Sequence, residues 1–165
     1  SFDQVYFQDV DFNRVRFDQV EFIDCKFERC DLSNVDFGQS VFHRVEFQQS
    51  KLVGVQCTQS RFGHVWMDSC VANYAAFSFS KMKQVKFQHT AFNKADFFEC
   101  LFDKVEFNEC ELDASNFTET SLDKIDLSSC SYEQITVSVE KLSGCTVSTE
   151  QAMGFAKSLG LLIKE

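Results

Sequence analysis

Large apolar residues recur along this chain at every fifth position, with mostly polar residues between them. Phenylalanine stands at 2, 7, 12, 17, 22 and 27. The series then runs through Leu32, Phe37, Phe42, Phe47 and Leu52 and can be followed to Leu142 and Val147. Seventeen of the twenty phenylalanines keep this register, so the beat organises the chain; only Phe79, Phe98 and Phe155 stand outside it. A second slot, two residues before each large one, stays small or β-branched: Val5, Val10, Val15, Val20, Cys25, Cys30, Val35, Ser40, and so on to Ile135. Each unit offers one large and one small residue to an interior and three polar residues to solvent.

A period of five fits neither the 3.6-residue turn of a helix nor the two-residue alternation of a strand. A fixed short repeat points to a solenoid, in which each unit buries its apolar face only by stacking on its neighbours. Over residues 2 to about 147 the chain resembles the pentapeptide-repeat proteins. The resemblance implies an all-β fold, a right-handed quadrilateral parallel β-helix with four repeats per coil, so that residues twenty apart stack. Phe2, Phe22, Phe42, Phe62, Met82, Phe102 and Leu122 then form one ladder, and Phe7, Phe27, Phe47, Met67, Phe87 and Phe107 the next. At about 4.8 Å per coil, roughly seven coils make a rod about 35 Å long. The expected organisation is a β-helix over 1–147, then a helix and apolar strand over 148–165 that cap the rod and form a dimer.

One unbroken register, no proline and few glycines argue for a single domain without linkers. No apolar run is long enough to span a membrane, and no basic segment followed by an apolar one opens the chain. The expectation is a cytoplasmic protein without membrane contact. Seven of the eight cysteines occupy the small slot and Cys57 the large one, which marks them as buried free thiols of a reducing compartment. Without a C-x-x-C pair there is no zinc signature, although Cys110 and Cys130, one coil apart, fall within bridging distance by their Cα positions. His43, His64 and His89 sit on outward positions in different coils, and no nucleophile elbow, phosphate loop or dinucleotide fingerprint is present. The sequence therefore nominates no catalytic, metal or cofactor site, and no enzyme is expected.

Charge changes the picture. The net charge of −9 disfavours direct nucleic-acid binding. Residues 37–95 hold two acidic and seven basic residues, whereas 96–165 hold fourteen acidic and five basic, so acidity gathers toward the C-terminus. Its core is Asp96, Glu99, Asp103, Glu106, Glu109, Glu111, Asp113, Glu119, Asp123 and Asp126, the candidate partner-binding surface. A different candidate lies where the pattern is irregular: Trp66, Tyr74, Phe79 and Phe98 fall on outward positions, and exposed aromatic groups mark partner surfaces.

The tail reads differently. Ser148 with Gln151 three residues on forms a capping box, Ala152, Phe155, Ala156 and Leu159 make an apolar helical face, Gly160 suits the stop, and Leu161-Leu162-Ile163 follow. Together with Gly144, Cys145 and Val147, this ending is similar to the C-terminus of the Qnr and MfpA proteins, and the absence of inserted loops brings the chain closer to MfpA. That resemblance implies a homodimer through Ala152, Phe155, Ala156, Leu159, Leu161, Leu162 and Ile163. It also implies an acidic rod that imitates duplex DNA toward a type II topoisomerase, DNA gyrase or topoisomerase IV, and modulates or protects it against quinolones. The alternative is a scaffold or adaptor that binds a protein through the aromatic surface and has no gyrase activity.

Overall fold

The computed structural model describes all residues, 1–165, and in it the twenty-residue register holds. The chain is a right-handed parallel β-solenoid of about seven four-sided turns with a short C-terminal helix. Eight strands form one parallel sheet: β1 (Phe2–Asp3), β2 (Tyr6–Gln8), β3 (Glu21–Ile23), β4 (Lys26–Glu28), β5 (Val41–Gln48), β6 (Arg61–Asp68), β7 (Lys81–Gln88) and β8 (Leu101–Asn108). Phe2 pairs with Phe22, Phe22 with Phe42, Phe42 with Phe62, Phe62 with Met82 and Met82 with Phe102, as the stacking of coils requires. A small second sheet joins β9 (Asn116–Phe117) to β10 (Thr136–Val137). A 3-10 turn over Val139–Lys141 and helix α1 (Thr149–Ser158) complete the chain.

The four faces are not alike. The first two, centred on the Phe2 and Phe7 columns, are strand ladders; the third and fourth, centred on Phe12 and Phe17, carry one bridge per coil and then a turn. On those faces the N–H of most small-slot residues closes onto the carbonyl three residues back, as in Val55 to Leu52 and Ser60 to Cys57. The third residue of each turn has a positive φ, the mark of a type II turn. The same conformation recurs at nearly every corner, from Gln4 (φ 56) to Lys124 (φ 63), in residues as unlike as Arg14, Tyr74 and Ala114. Side chains other than glycine are strained there by about 1 kcal/mol or more each, and the ladder bonds of the neighbouring coils hold them in it.

Inside, the phenylalanines stack ring on ring. Phe22 and Phe42 are 5.3 Å apart with planes 7° from parallel, Phe42 and Phe62 4.9 Å and 6°, Phe97 and Phe117 4.9 Å and 3°. Neighbouring columns meet edge to face, as Phe37 does with Phe42 at 5.3 Å. Both arrangements suit the ring quadrupole. Seven cysteines are buried free thiols as expected, and Cys145 is half-buried.

The small slot is chemically divided, which a period of five does not reveal. Two of its four columns are mainly Val, Ile and Ala. The other two hold Ser40, Ser60, Ser80, Cys100, Thr120 and Cys30, Ser50, Cys70, Thr90, Cys110, Cys130. The Ser60 hydroxyl donates to the Phe37 carbonyl at 2.9 Å and accepts the Ser40 N–H at 3.2 Å. Ser40 does the same for Phe17 and Val20, and Thr120 for Phe97 and Cys100. Sulfur serves too: the Cys100 thiol donates to Phe77 at 3.0 Å. These side chains satisfy buried backbone groups that would otherwise cost about 1–3 kcal/mol each.

At the C-terminal end the register loosens. Ala114 N–H reaches Gln134 and Lys124 N–H reaches Gly144, each twenty residues on instead of the usual nineteen. Helix α1 begins with the expected capping box, Ser148 Oγ accepting from Gln151 N–H and Gln151 Oε1 from Ser148 N–H. It ends in a Schellman motif, with Leu161 N–H on Ala156, Gly160 N–H on Lys157, and Gly160 at φ 84. Gln151 Nε2 ties the helix to the rod by donating to the Leu127 and Cys130 carbonyls at 2.9 and 3.0 Å. The hydroxyl ladder yields a stability test. Ser60→Ala should lower the unfolding free energy by about 1–3 kcal/mol, and Ser60→Cys by clearly less. Denaturant unfolding of both measures this; equal losses would mean the column supplies packing alone.

Candidate functional site

The acidic residues nominated from the sequence encircle the rod; they do not line one side of it. By their place in the repeat, Asp103 and Asp123 lie on the first face, Glu106, Glu109 and Asp126 on the second, Glu111 and Asp113 on the third, and Asp96, Glu99 and Glu119 on the fourth. They also divide by what their oxygens do. Asp113 Oδ1 accepts the backbone N–H groups of Glu133 and Gln134 at 3.0 and 3.1 Å. Asp126 Oδ1 accepts the N–H and hydroxyl of Ser128, and Asp96 Oδ1 the Phe98 N–H and the Asn116 amide. The bonds to Gln134 and Glu133 hold the Asp113 carboxyl below the usual carboxylate range, and those to the Ser128 hydroxyl and N–H do the same for Asp126. These three residues build turns and coil junctions.

Two more are partly engaged. Glu109 meets His89, and Glu119 accepts from the Ser138 hydroxyl at 3.3 Å, whereas the Asp123 carboxylate lies beside Gly144 of the next coil with no hydrogen bond or ion pair. Glu99, Asp103, Glu106 and Glu111 remain exposed, and their carboxylates have no hydrogen bond or ion pair. Across the sheet Asp103 stands beside Lys83 and Glu106 beside Lys86, so the basic middle coils meet the acidic end on the first two faces. The fourth face is different: its only base is Arg16, within 3.6 Å of both Asp18 and Asp36, and beyond residue 36 it has no lysine or arginine. Some earlier carboxylates are neutralised locally, Asp9 by Arg29 at 2.9 Å and Asp24 by Arg44 at 2.5 Å.

The four outward aromatics do not form one surface. Trp66 belongs to β6 on the second face, between Glu46 and Lys86. Tyr74 turns the corner of the third face under Lys94, whose Nζ lies 5.3 Å from the ring centre. Only Phe79 and Phe98 touch, edge to face at 5.5 Å, on the fourth face. Leu101, 64% exposed, joins Phe79, Glu99 and Glu119 around the same shallow depression. The sequence reading passed over Leu101, although its outward slot one coil above Lys81 marks it.

The tail residues are likewise unequal. Phe155 and Ala156 are half-buried against the last coil, with Phe155 6.4 Å from Tyr132, while Ala152 and Leu159 face solvent. Leu161 and Ile163 are exposed, and Leu162 is 100% exposed. A groove of about 420 Å³ beside them is lined mainly by Ile135, Val137, Val139, Leu142, Phe155 and Leu159. No helix is long and apolar enough to cross a membrane.

Comparison with known proteins agrees with this geometry. A family model described as pentapeptide repeat region matches residues 40–117, and another described as pentapeptide repeats (9 copies) matches residues 2–51. Among solved structures, trypsin-treated QnrB1, a plasmid-mediated fluoroquinolone resistance protein, is similar at 15% identity and a TM-score of 0.51, covering 99% of this chain and 91% of that one. Rfr23, a pentapeptide repeat protein from the cyanobacterium Cyanothece 51142, is 10% identical over 74% of this chain and 91% of its own, with a TM-score of 0.55. A pentapeptide repeat protein of the Arabidopsis thaliana thylakoid lumen is 16% identical over 58% of this chain and 66% of its own, also at 0.55. At these identities the likeness is one of fold. No curated protein sequence matches at a significant level.

Among the contacts of this end of the rod, one is made by a histidine. His89 bridges three coils, with Nδ1 3.3 Å from Asp68 and Nε2 2.5 Å from Glu109. The Asp68 hydrogen bond first, then that of Glu109, raises its pKa above the usual value of about 6.5. A raised folded-state pKa stabilises fully below the unfolded value and is lost as pH rises through the folded one. His89→Gln should therefore be less stable than the parent below about pH 6.5, with the gap closing as pH rises; chemical denaturation across a pH series measures it, and a pH-independent gap would sink the assignment.

Proposed function

The chain belongs to the pentapeptide-repeat family, and from that premise we propose that it is a dimeric DNA mimic that binds a type II topoisomerase, DNA gyrase or topoisomerase IV. The observation that carries this reading is the density of fixed carboxylates. Ten fall within residues 96–126, a coil and a half, or roughly 7 Å of rod at about 4.8 Å per coil. Duplex DNA carries one phosphate charge per about 1.7 Å of axis, and the unpaired Glu99, Asp103, Glu106 and Glu111 alone supply a carboxylate at a comparable spacing, with Lys104 and Lys124 the two opposing charges of the stretch. A disordered acidic tail would have to lose entropy to hold such a spacing; a solenoid has already lost it on folding. The mechanism is electrostatic: these carboxylates take the place of phosphates against a basic DNA-binding surface, which lowers or redirects the enzyme's activity. The fold likeness to a fluoroquinolone resistance protein supports the choice of enzyme.

The open tail supports the dimer. Leu159, Leu161 and Leu162 are each more than half exposed beside the apolar groove at the end of the rod. A second copy that buries them would set the two acidic ends back to back and double the length of the mimic. A second reading, an adaptor that binds protein through apolar contacts, rests on Phe79, Phe98 and Leu101 at the edge of the base-free fourth face.

Two experiments follow. In a gyrase supercoiling assay the protein should inhibit, or rescue the enzyme from a quinolone, and the effect should fade with salt as screening shortens to about 8 Å near 0.15 M. Neutralising Glu99, Asp103, Glu106 and Glu111 together to Gln or Asn should cut potency by about tenfold or more, about 1.4 kcal/mol, while Phe79→Ala leaves it unchanged. An unaffected enzyme at micromolar protein, or a neutralised variant as potent as the parent, would turn the case toward the adaptor. Sedimentation should find a dimer, converted to monomer by Leu161→Asp with Ile163→Asp; a monomeric parent removes that part of the proposal.

A further inference from the structure

The sheet has an edge inside the rod. Elsewhere on the first two faces every coil bonds to the one above: Asp24 N–H to His43, Arg29 N–H to Gln48, Glu46 N–H to the Cys25 carbonyl. Between β8 and residues 121–128 this pattern stops. The Phe102 and Lys104 N–H groups, which the register aims at Ser121 and Asp123, make no bond there, and no N–H comes down to the Val105 carbonyl. The cause is local. Ser121 to Ile125 folds into the tight turn that the earlier coils confine to the third and fourth faces, Ile125 N–H closing on Leu122 at 3.0 Å, and Leu127 to Cys130 turns likewise on the second face. That turn draws the backbone off the ladder. The third and fourth faces stay bridged, Glu111 to Ser131 and Asn116 to Thr136, and the far end of the second face stays tied by Glu109 N–H to Ser129 Oγ and by the Cys130 thiol to the Phe107 carbonyl, so the coils part only along Phe102 to Glu106.

Two independent features mark the gap. A crevice of about 730 Å³ lies along it, with Phe102 to Glu106 on one wall and Ser121, Asp123, Lys124 and Ile125 on the other. Within it Phe102 is only half-buried, whereas its ladder mates Phe22, Phe42, Phe62 and Met82 are all at most 4% exposed. An edge with unpaired donors and acceptors, an open apolar ring and room beside it is the form in which sheets accept an added strand.

The side chains say what kind of strand. On its covered edge β8 already receives one, β7, in parallel register, with Lys83 beside Asp103 and Lys86 beside Glu106. Asp103 and Glu106 are exposed and unpaired, so a strand on the free edge meets the same two carboxylates. We propose that the free edge of β8 is a docking slot for an extended segment of another protein, one that adds in parallel, sets an apolar residue against Phe102 and places lysines or arginines beside Asp103 and Glu106. The slot reads main-chain geometry together with two charges, so it selects basic, β-prone segments and does not require a helix or a nucleic acid. It shares Asp103 and Glu106 with the topoisomerase reading but is tested apart from it, through the main-chain groups of Phe102 and Lys104.

The natural probe is the chain's own β7 sequence, Lys81–Gln88, as a labelled peptide added to the full protein. Hydrogen exchange of the free protein should find the Phe102 and Lys104 amides fast while those of β6 are slow, and peptide should protect them by about tenfold or more, equivalent to about 1.4 kcal/mol. Fluorescence anisotropy should show saturable binding, reduced by about tenfold or more, the same 1.4 kcal/mol, when the peptide is N-methylated at the Lys83 and Lys86 amides. Slow exchange at Phe102 and Lys104 without peptide would mean that the edge is closed and would overturn the proposal. So would an absence of binding, or equal affinity for the N-methylated peptide, which would reduce the contact to charge adsorption. A protein that self-associates and is dissociated by the peptide would assign the slot to a second copy and overturn the hetero-partner.

Discussion

Each coil of this rod is held in place by the coils above and below it through parallel backbone ladders at a fixed twenty-residue spacing, and nothing else in the molecule is stable without that contact. A single pentapeptide has two inward residues and cannot bury them alone; only stacking places Phe22 between Phe2 and Phe42 at 5.2 and 5.3 Å. The same stacking holds Arg14, Tyr74 and Phe79 in left-handed corners that none of these residues favours by itself. It also supplies the carbonyl for several inward hydroxyls: Ser60 and Ser80 reach back twenty-three residues to Phe37 and Cys57, whereas Thr90 and Ser115 stay within their own coil on Gln88 and Leu112. Side chains, corners and buried polar groups are therefore consequences of one register.

That register converts sequence position into fixed position on a surface, and the electrostatics follow. In a flexible acidic segment every carboxylate is interchangeable. Here Asp113 and Asp126 are committed to backbone N–H groups, Glu109 to His89, while Glu99, Asp103, Glu106 and Glu111 keep their charge free. Neutralisation is local as well: Arg29 and Arg44 each reach exactly one coil back to a carboxylate, Asp9 and Asp24, which leaves the early coils less acidic toward solvent than their composition suggests.

The period of five made the fold legible, together with the ladders and the capped helix, because each depends on residue type at one repeating or local offset. What escaped it depends on the period of twenty. The alternation of Val columns with Ser, Thr and Cys columns appears only when residues such as Ser40, Ser60 and Ser80 are set one above another, and it reflects which corners leave a buried N–H and carbonyl needing a partner. The aromatic group divided for the same reason: Trp66, Tyr74 and Phe79 are close in sequence but lie on three successive faces. Asp96, Asp113 and Asp126 looked equivalent to Glu106 because an Asx-type bond to a backbone N–H is decided by the turn it sits in, not by its charge. For the tail, the capping box was readable from Ser148 and Gln151, whereas the exposure of Ala152 and Leu159 was not, since helical periodicity cannot say how deep a helix settles.

A structure this regular makes its departures informative. Helices and mixed sheets contain many local irregularities, so a missing hydrogen bond in them carries little weight. In this solenoid the strand ladder repeats through five coil junctions and then fails at one, between β8 and Ser121. The failure coincides with a half-open Phe102 and with the part of the rod where unpaired carboxylates gather. A turn like that of Leu122 to Ile125 is stable elsewhere only because the neighbouring coil also turns; placed above a strand it leaves polar backbone groups without partners, at a cost of about 1–3 kcal/mol each if water cannot reach them. Stability alone would favour continuing the strand. The acidic end of the rod thus keeps an open edge that its own repeat could have closed, and unpaired N–H and C=O groups of that kind are a template on which an added strand can pair.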